Sequence, residues 1–220
     1  MSSHHIVREG QEPALIIANG AACSNELMGQ LLEWSPFVLV LDGALERVMS
    51  LEIKYDVLLG DFDHHSMQEL QNLVQPDIKI VHAPDQEKTD LEKGIEYLIE
   101  KGFEAVNILW ATGKRSDHYM NNIATLARYH DRINQVMLDD HSRIYPIASG
   151  FKKYYEKGSN LSLIPLNKVE SVFTENLIWN LSGGTLEFPF NTGSSNKVKE
   201  TGIVSISYAS GNMLLMECID

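Results

Sequence analysis

Residues 57–63 read Val57-Leu58-Leu59-Gly60-Asp61-Phe62-Asp63. A short apolar run stops at a glycine, and two carboxylates follow with one residue between them. A continuous run of this length, without alternation, predicts a strand buried on both faces, as in a parallel sheet. Where an extended strand ends, residues two apart point to the same side, so Asp61 and Asp63 are expected to share a face. Two carboxylates placed there repel each other and lose hydration. A divalent cation relieves both costs, and Mg²⁺ takes one or two carboxylates together with phosphate oxygens. The same residues also read as a polar turn in which Asp61 caps the next helix, and the stretch alone leaves both readings open.

Working outward, comparable apolar runs recur at 14–18, 37–41, 78–81, 106–110 and 136–138. Amphipathic stretches separate them. The clearest covers 89–101, with Leu91, Ile95, Leu98 and Ile99 on one stripe, a Thr89-x-x-Glu92 capping box at its start and Gly102 at its end. A second helix is expected over 118–130, carrying Ile123, Leu126 and Ala127 inward. Such alternation predicts an α/β domain with right-handed crossovers. After about residue 142 the helical period fades. Short strands are expected at 161–166, 171–174, 177–181, 185–190, 203–208 and 213–218, punctuated by turns at Gly183-Gly184, Asn191-Thr192-Gly193 and Ser210-Gly211-Asn212. The expected architecture is an N-terminal parallel-sheet α/β domain (1–142) followed by a small antiparallel β-sandwich or barrel domain (143–220).

The chain has 220 residues, 44% hydrophobic and 22% charged, which is ample for a globular core. Its net charge of −12 argues against nucleic acid as a partner, while a nucleotide needs only a local group of cations. Cys23 and Cys218 stand at opposite ends, without zinc-ligand spacing, which fits a reducing cytoplasm. Residues 1–11 are polar and lack an apolar signal core, and His4 and His5 read as surface residues. No apolar run approaches the roughly 18 residues of a membrane span.

The polar clusters fall where the predicted strands end, and in an open parallel sheet that is where ligands bind. The second strand ends in Asp42-Gly43 and the third in Gly60-Asp61-Phe62-Asp63. The fourth is followed by Asp85-Gln86-Glu87-Lys88-Thr89-Asp90, and the fifth by Ala111-Thr112-Gly113-Lys114-Arg115-Ser116-Asp117-His118. Acidic clusters facing one basic loop point to a metal-bound polyphosphate. Asp90, in the first turn of its helix, serves either as a ligand or as a complement to the helix dipole. Thr112 and Gly113 sit at a strand-to-helix junction that favours anions. Arg115 offers a planar fork to phosphate, and Lys114 reads as a solvated loop cation. Asp117 reads as an N-cap or a site residue. His118 and Asn121 lie about one turn apart, with a structural role for His118 also open. No Walker A pattern and no Gly-x-Gly-x-x-Gly is present, which disfavours P-loop kinases, protein kinases and Rossmann dehydrogenases.

Three spaced motifs resemble the thiamine pyrophosphokinase family: Gly60-Asp61-Phe62-Asp63; Asp85-Gln86-x-x-Thr89-Asp90-Leu91-x-Lys93; and Ala111-Thr112-Gly113-x-Arg115-x-Asp117-His118-x-x-Asn121. The likeness continues in Asn176-Leu177-x-Trp179-Asn180-Leu181 and Gly193-Ser194-Ser195-Asn196. The chain departs from the family at Asp42-Gly43-Ala44-Leu45, at His64, and at Lys114, which puts a side chain on an otherwise bare loop and leaves room for altered nucleotide preference.

The resemblance implies a homodimer with shared active sites that converts ATP and thiamine to AMP and thiamine diphosphate. Asp61, Asp63 and Asp90 would hold Mg²⁺, with Asp42 joining directly or through water. Gln86, Thr112 and Arg115 would orient phosphate oxygens, with Thr89, Gly113, Asp117, His118 and Asn121 completing the nucleotide side. Asp61, Asp63, Asp90 and Arg115 form the catalytic set, and Asp63 or Asp90 would accept the hydroxyl proton. Trp179, Ser194, Ser195 and Asn196 would meet thiamine, since an aromatic ring suits a cationic thiazolium. A core role for Trp179 stands equally open. Three rival functions remain at this point. One is an Asp-x-Asp phosphohydrolase phosphorylated on Asp61, which His65 weakens. Another is a nucleotide- or cofactor-binding protein without turnover. The third is a pyrophosphokinase for another heterocyclic alcohol, such as a pterin.

Overall fold

The computed structural model describes residues 13–63 and 67–219. The readings for residues 1–11, with His4 and His5, and for His64 and His65 lie outside the described residues. The chain divides into two compact units, one running to Thr125 and including Asp131–Gln135, the other comprising Leu126–His130 and the chain from Val136.

The first unit runs β1 (Ala14–Ile17), α1 (Asn25–Leu32), β2 (Val38–Leu41), a 3₁₀ turn (Asp42–Ala44), α2 (Leu45–Ser50), β3 (Val57–Gly60), α3 (Met67–Leu73), β4 (Lys79–His82), α4 (Asp90–Glu100), β5 (Ala105–Leu109) and the start of α5 (Ser116–Arg128). Its strands pair in parallel in the order β4-β3-β2-β1-β5. Every residue of β1, β2 and β3 is buried, as continuous apolar runs require. Edge strand β4 departs from that expectation: none of its four residues is fully buried. The chain passes from β1 to β2, β3 and β4 on one side, then returns to the other side of β1 with β5. The β1/β5 boundary is therefore a topological switch point, where a crevice opens at the carboxyl ends.

Helix α4 follows the sequence closely. Thr89 Oγ1 accepts from the Glu92 N–H at 3.3 Å and Glu92 Oε2 accepts from the Thr89 N–H at 2.9 Å, so the capping box is complete. Leu91, Ile95 and Leu98 are buried.

In the second unit, after β6 (Asn134–Leu138), come β7 (Ser142–Ile147), β8 (Phe151–Tyr155), β9 (Asn160–Pro165), β10 (Val169–Glu175), β11 (Ser182–Leu186), β12 (Gly193–Lys197), β13 (Gly202–Ser207) and β14 (Met213–Cys218). Antiparallel pairing links β7, β14, β9 and β12, with β6 beside β7, and a separate four-stranded sheet runs β11-β10-β13-β8. Between the sheets lies an apolar core that includes Leu161, Leu163, Val172, Val204, Ile206 and Leu215. This is the antiparallel sandwich anticipated from the turn spacing.

Three local readings need correction. Residues 177–181 form no strand, because Asn176 takes a left-handed φ of 65° and the chain turns there. Gly193, expected to close a turn, instead opens strand β12, which takes in Ser194, Ser195 and Asn196 with a register shift between Gly193 and Asn196. Strands β7 and β8 carry too many polar residues to stand out by hydropathy. No helix among the described residues is long and apolar enough to cross a membrane.

Candidate active site

The carboxyl ends of β1, β2, β3 and β5 and the first turns of α4 and α5 surround a cleft of about 580 Å³. Its position is set by sheet topology, and its walls differ in charge.

Asp42, Asp61 and Asp90 line one wall. Asp42 follows β2, where its carboxylate accepts from the Gly43 and Phe62 N–H groups. A Cβ on Gly60 would collide with the Asp42 side chain, so only glycine allows β3 to end this close to it. Burial pushes the Asp42 pKa above its ordinary 3.8, and the charges of Asp90 and, less strongly, Asp61 push the same way, against the two backbone N–H bonds. Asp90 and Asp61 thus both sit within Coulombic range of Asp42. Among the described residues no group of three or more His, Cys, Asp or Glu side chains is placed to hold a metal ion by itself. Mg²⁺ does not require one, since it usually takes one or two carboxylates and keeps the remaining positions for phosphate and water. The acidic wall fits such an ion.

Asp63 is placed differently. Phe62 adopts a left-handed φ of 55°, which breaks strand alternation between the two aspartates. Asp61 lines the cleft, whereas Asp63 is exposed and is not among its lining residues. The same-face expectation fails because the strand ends at Gly60. The Phe62 ring is buried, stacked 6.2 Å from His82.

At the start of α4, Gln86 and Thr89 line the cleft. Asp90 pairs with Lys93 Nζ at 3.2 Å. Lys93, part of the second motif but given no role by the sequence, is a buried cation in the cleft wall, 7% exposed.

The loop after β5 forms the opposite wall. Gly113, Lys114, Arg115, Asp117, His118 and Asn121 line it. Thr112 does not: it is buried, and its carbonyl accepts from the Ala21 N–H at 2.7 Å, closing the β1/β5 crevice from behind. Arg115 grips Asp117 through two bonds, Nη2–Oδ2 at 2.5 Å and Nε–Oδ1 at 3.1 Å, and this guanidinium holds the Asp117 carboxyl at about 2. Asp117 lies inside the first turn of α5, so the capping reading does not apply. Asn122, also missed, lines the cleft and donates to the Ala111 carbonyl at 2.8 Å, fixing α5 against the end of β5.

The remaining predicted residues gather in the second unit. Trp179 is 61% exposed, so it is no core tryptophan. Its backbone is clamped by buried Asn196, whose Oδ1 accepts from the Trp179 N–H at 3.2 Å and whose Nδ2 donates to the Trp179 carbonyl at 2.8 Å. Ser195 takes a left-handed φ of 57° in the β12 bulge and donates its N–H to Ser162 Oγ at 2.9 Å. Ser194 is exposed beside it. Asn176 and Asn180 are backbone staples. Asn176 bridges the Glu200 carbonyl and N–H at 2.7 and 3.1 Å, and Asn180 Oδ1 accepts from the Leu177 N–H at 3.1 Å.

Comparison with known proteins agrees with both units. The family model described as thiamin pyrophosphokinase, catalytic domain, matches residues 28–138. The model described as thiamin pyrophosphokinase, vitamin B1 binding domain, matches residues 150–213. Thiamin pyrophosphokinase 1 of Caenorhabditis elegans is 25% identical over 184 residues, 77% of this chain and 74% of that one. Thiamine pyrophosphokinase 1 of Oryza sativa subsp. japonica is 30% identical over 163 residues, 68% of this chain and 61% of that one. The crystal structure of yeast thiamin pyrophosphokinase superposes with a TM-score of 0.81 at 16% identity, covering 98% of this chain and 88% of the yeast chain. That of thiamine pyrophosphokinase from Bacillus subtilis gives 0.76 at 20%, covering 94% and 99%. These structural likenesses establish the fold, and the two sequence models, matched in order along one chain, establish the kinship. The chain belongs to the thiamin pyrophosphokinase family.

Proposed function

We propose that this chain carries out the family's ATP-dependent reaction in the cleft of its first unit. The thiamine hydroxyl oxygen bonds to the β-phosphorus of ATP, the bond between that phosphorus and the oxygen bridging to the α-phosphate breaks, and AMP leaves. The hydroxyl proton passes to a carboxylate. Such transfers depend on positioning and charge neutralisation more than on covalent help from the protein.

The observation that carries this reading is the two-signed cleft at the switch point. Asp61 and Asp90, with Asp63 at the rim and Asp42 between β2 and β3, are the residues that would hold Mg²⁺. Bound there, the ion supplies charge neutralisation to the polyphosphate. Arg115 presents its guanidinium to phosphate oxygens, with Gln86, Thr89, Gly113, His118 and Asn121 around it and Asp117 keeping Arg115 in place. Thr112 contributes its backbone. Of the two carboxylates considered as proton acceptor, Asp90 lines the cleft and Asp63 does not, which favours Asp90.

Thiamine recognition falls to the second unit, where Trp179 offers an open aromatic face beside Ser194 and Ser195, with Asn196 fixing the tryptophan backbone. The match to a vitamin B1 binding domain favours thiamine over a pterin alcohol. The active form is a homodimer in which each active site draws on both chains. Tyr154, Phe173 and Ile203, all exposed and on one face of the four-stranded sheet by their pairing register, support self-association. Cys23 and Cys218 are both outside any disulfide, which fits a reducing cytoplasm.

Incubation with ATP, Mg²⁺ and thiamine tests the reading. AMP and thiamine diphosphate are the expected products. ADP as first product removes pyrophosphoryl transfer, and phosphate release without thiamine favours a hydrolase.

A further inference from the structure

The one cation read as solvated is not free in solution. Lys114 turns back onto the end of β1, where its Nζ donates to the Asn19 carbonyl at 3.2 Å and to Asn19 Oδ1 at 3.3 Å. Its backbone sits at a φ of 50°, a region that disfavours any residue with a side chain. The same Asn19 Oδ1 accepts from Arg47 Nη2 at 3.1 Å. Arg47 is itself fixed, with Nη1 on the Gly20 carbonyl at 2.9 Å and its guanidinium 4.6 Å from the Trp110 ring centroid. Trp110 is buried, left-handed at a φ of 55°, and its Nε1 has no hydrogen-bond partner.

Two positive charges therefore converge on one neutral oxygen. Partial desolvation and the charge of Arg47 lower the Lys114 pKa from the ordinary lysine value. Lys114 lines the cleft and Arg47 does not, so of the two only Lys114 is placed to meet a ligand. What the pair lacks is an anion. The acidic side, Asp42, Asp61 and Asp90, carries more negative charge than Lys93, paired with Asp90, offsets, and so has room for a further cation. A metal-bound polyphosphate supplies both.

We infer that Lys114 is a second polyphosphate-binding cation of this cleft, working beside Arg115, and that it exchanges its two long bonds to Asn19 for phosphoryl oxygens when the nucleotide enters. This rests on the reading of the cleft as the ATP site. The consequence is a nucleotide affinity set partly by Lys114.

The test compares Lys114→Gly, Lys114→Gln and Lys114→Arg with the unaltered protein by calorimetric titration with Mg-ATP and with inorganic tripolyphosphate. Lys114→Gly also relieves the left-handed backbone, so the fold is not at risk. Loss of the cation is expected to weaken both ligands about tenfold, as for a charge-assisted hydrogen bond, to leave the thiamine KM within about twofold, and to be largely restored by arginine. Unchanged affinity of Lys114→Gly for both ligands overturns the inference, and so does a loss confined to ATP, which would place the contact on base or ribose. An unaltered protein that binds tripolyphosphate through Lys114 but not ATP would keep the anion site and refute the nucleotide reading. Binding of neither ligand would refute both.

Discussion

In the first unit the motif side chains face open space. Asp42, Asp61, Asp90 and Arg115 line a cleft whose shape is made by backbone and by the burial of β1, β2 and β3. In the second unit most motif side chains face the backbone. Asn176, Asn180 and Asn196 hold strands and loops together, and what they present is Trp179, 61% exposed. Two sets of spaced polar residues therefore do different work. One set lines an open cleft with charge, and the other holds a single aromatic ring in the open. Substitutions should separate the two by what they change.

The largest effect is expected at the acidic wall. Asp61→Asn should lower kcat at least about a hundredfold through lost charge neutralisation, with the melting temperature nearly unchanged. Asp63→Asn should cost activity too, but less, because Asp63 stands outside the lining. Steady-state kinetics at varied Mg²⁺ check both, and full activity of Asp61→Asn at limiting Mg²⁺ would remove the metal assignment. Next comes Trp179. Trp179→Ala should raise the thiamine KM about three- to thirtyfold, the range of a cation–π contact, and leave the ATP KM in place. Ser195→Ala should move the same parameter less. Equal shifts for both substrates would erase the distinction between the units.

Asn196→Ala should behave as a structural change. It leaves the part-buried Trp179 N–H and carbonyl without their Asn196 partner, at a cost of about 1 kcal/mol in a denaturant melt, and weakens thiamine binding only by loosening Trp179. The smallest effect is a titration. The Asp42 carboxyl should titrate above 3.8 in the free protein, followed by carbon NMR, and Mg²⁺ should lower the midpoint because a cation favours the ionised form. A raised carboxyl pKa means that the folded protein takes up a proton the unfolded chain does not hold. This group therefore destabilises the fold above its folded pKa, and the penalty disappears as the pH falls below 3.8. A midpoint at or below 3.8 would show that burial and the neighbouring carboxylates do not outweigh the two backbone N–H bonds to Asp42.

The legibility of this chain in its sequence follows burial. Strands β1, β2 and β3 were readable because a parallel strand covered on both faces can contain little except apolar residues. Helix α4 was readable from Thr89, Glu92 and the apolar stripe. Strand β12 was hidden because Gly193-Ser194-Ser195-Asn196-Lys197 is polar and bulged, and β7 because it mixes Arg143, Tyr145 and Pro146 with apolar residues. The strand-end carboxylates were visible as types and spacing. The turn of Phe62 to a left-handed conformation, which separates Asp61 from Asp63, was not, since nothing in Asp-Phe-Asp marks it. Lys114 and Arg47 lie 67 positions apart in the sequence and meet only through Asn19. Lys93 stands within a motif, yet its burial depends on how α4 packs.

The most direct test follows the phosphorus atoms. ATP carrying ¹⁸O on the β-phosphoryl group is incubated with Mg²⁺, thiamine and the protein, and the products are read by ³¹P NMR. The account predicts the label in the phosphate of thiamine diphosphate bonded to the thiamine oxygen, with AMP unlabelled. Label retained in ADP, or phosphate appearing without thiamine, would contradict it.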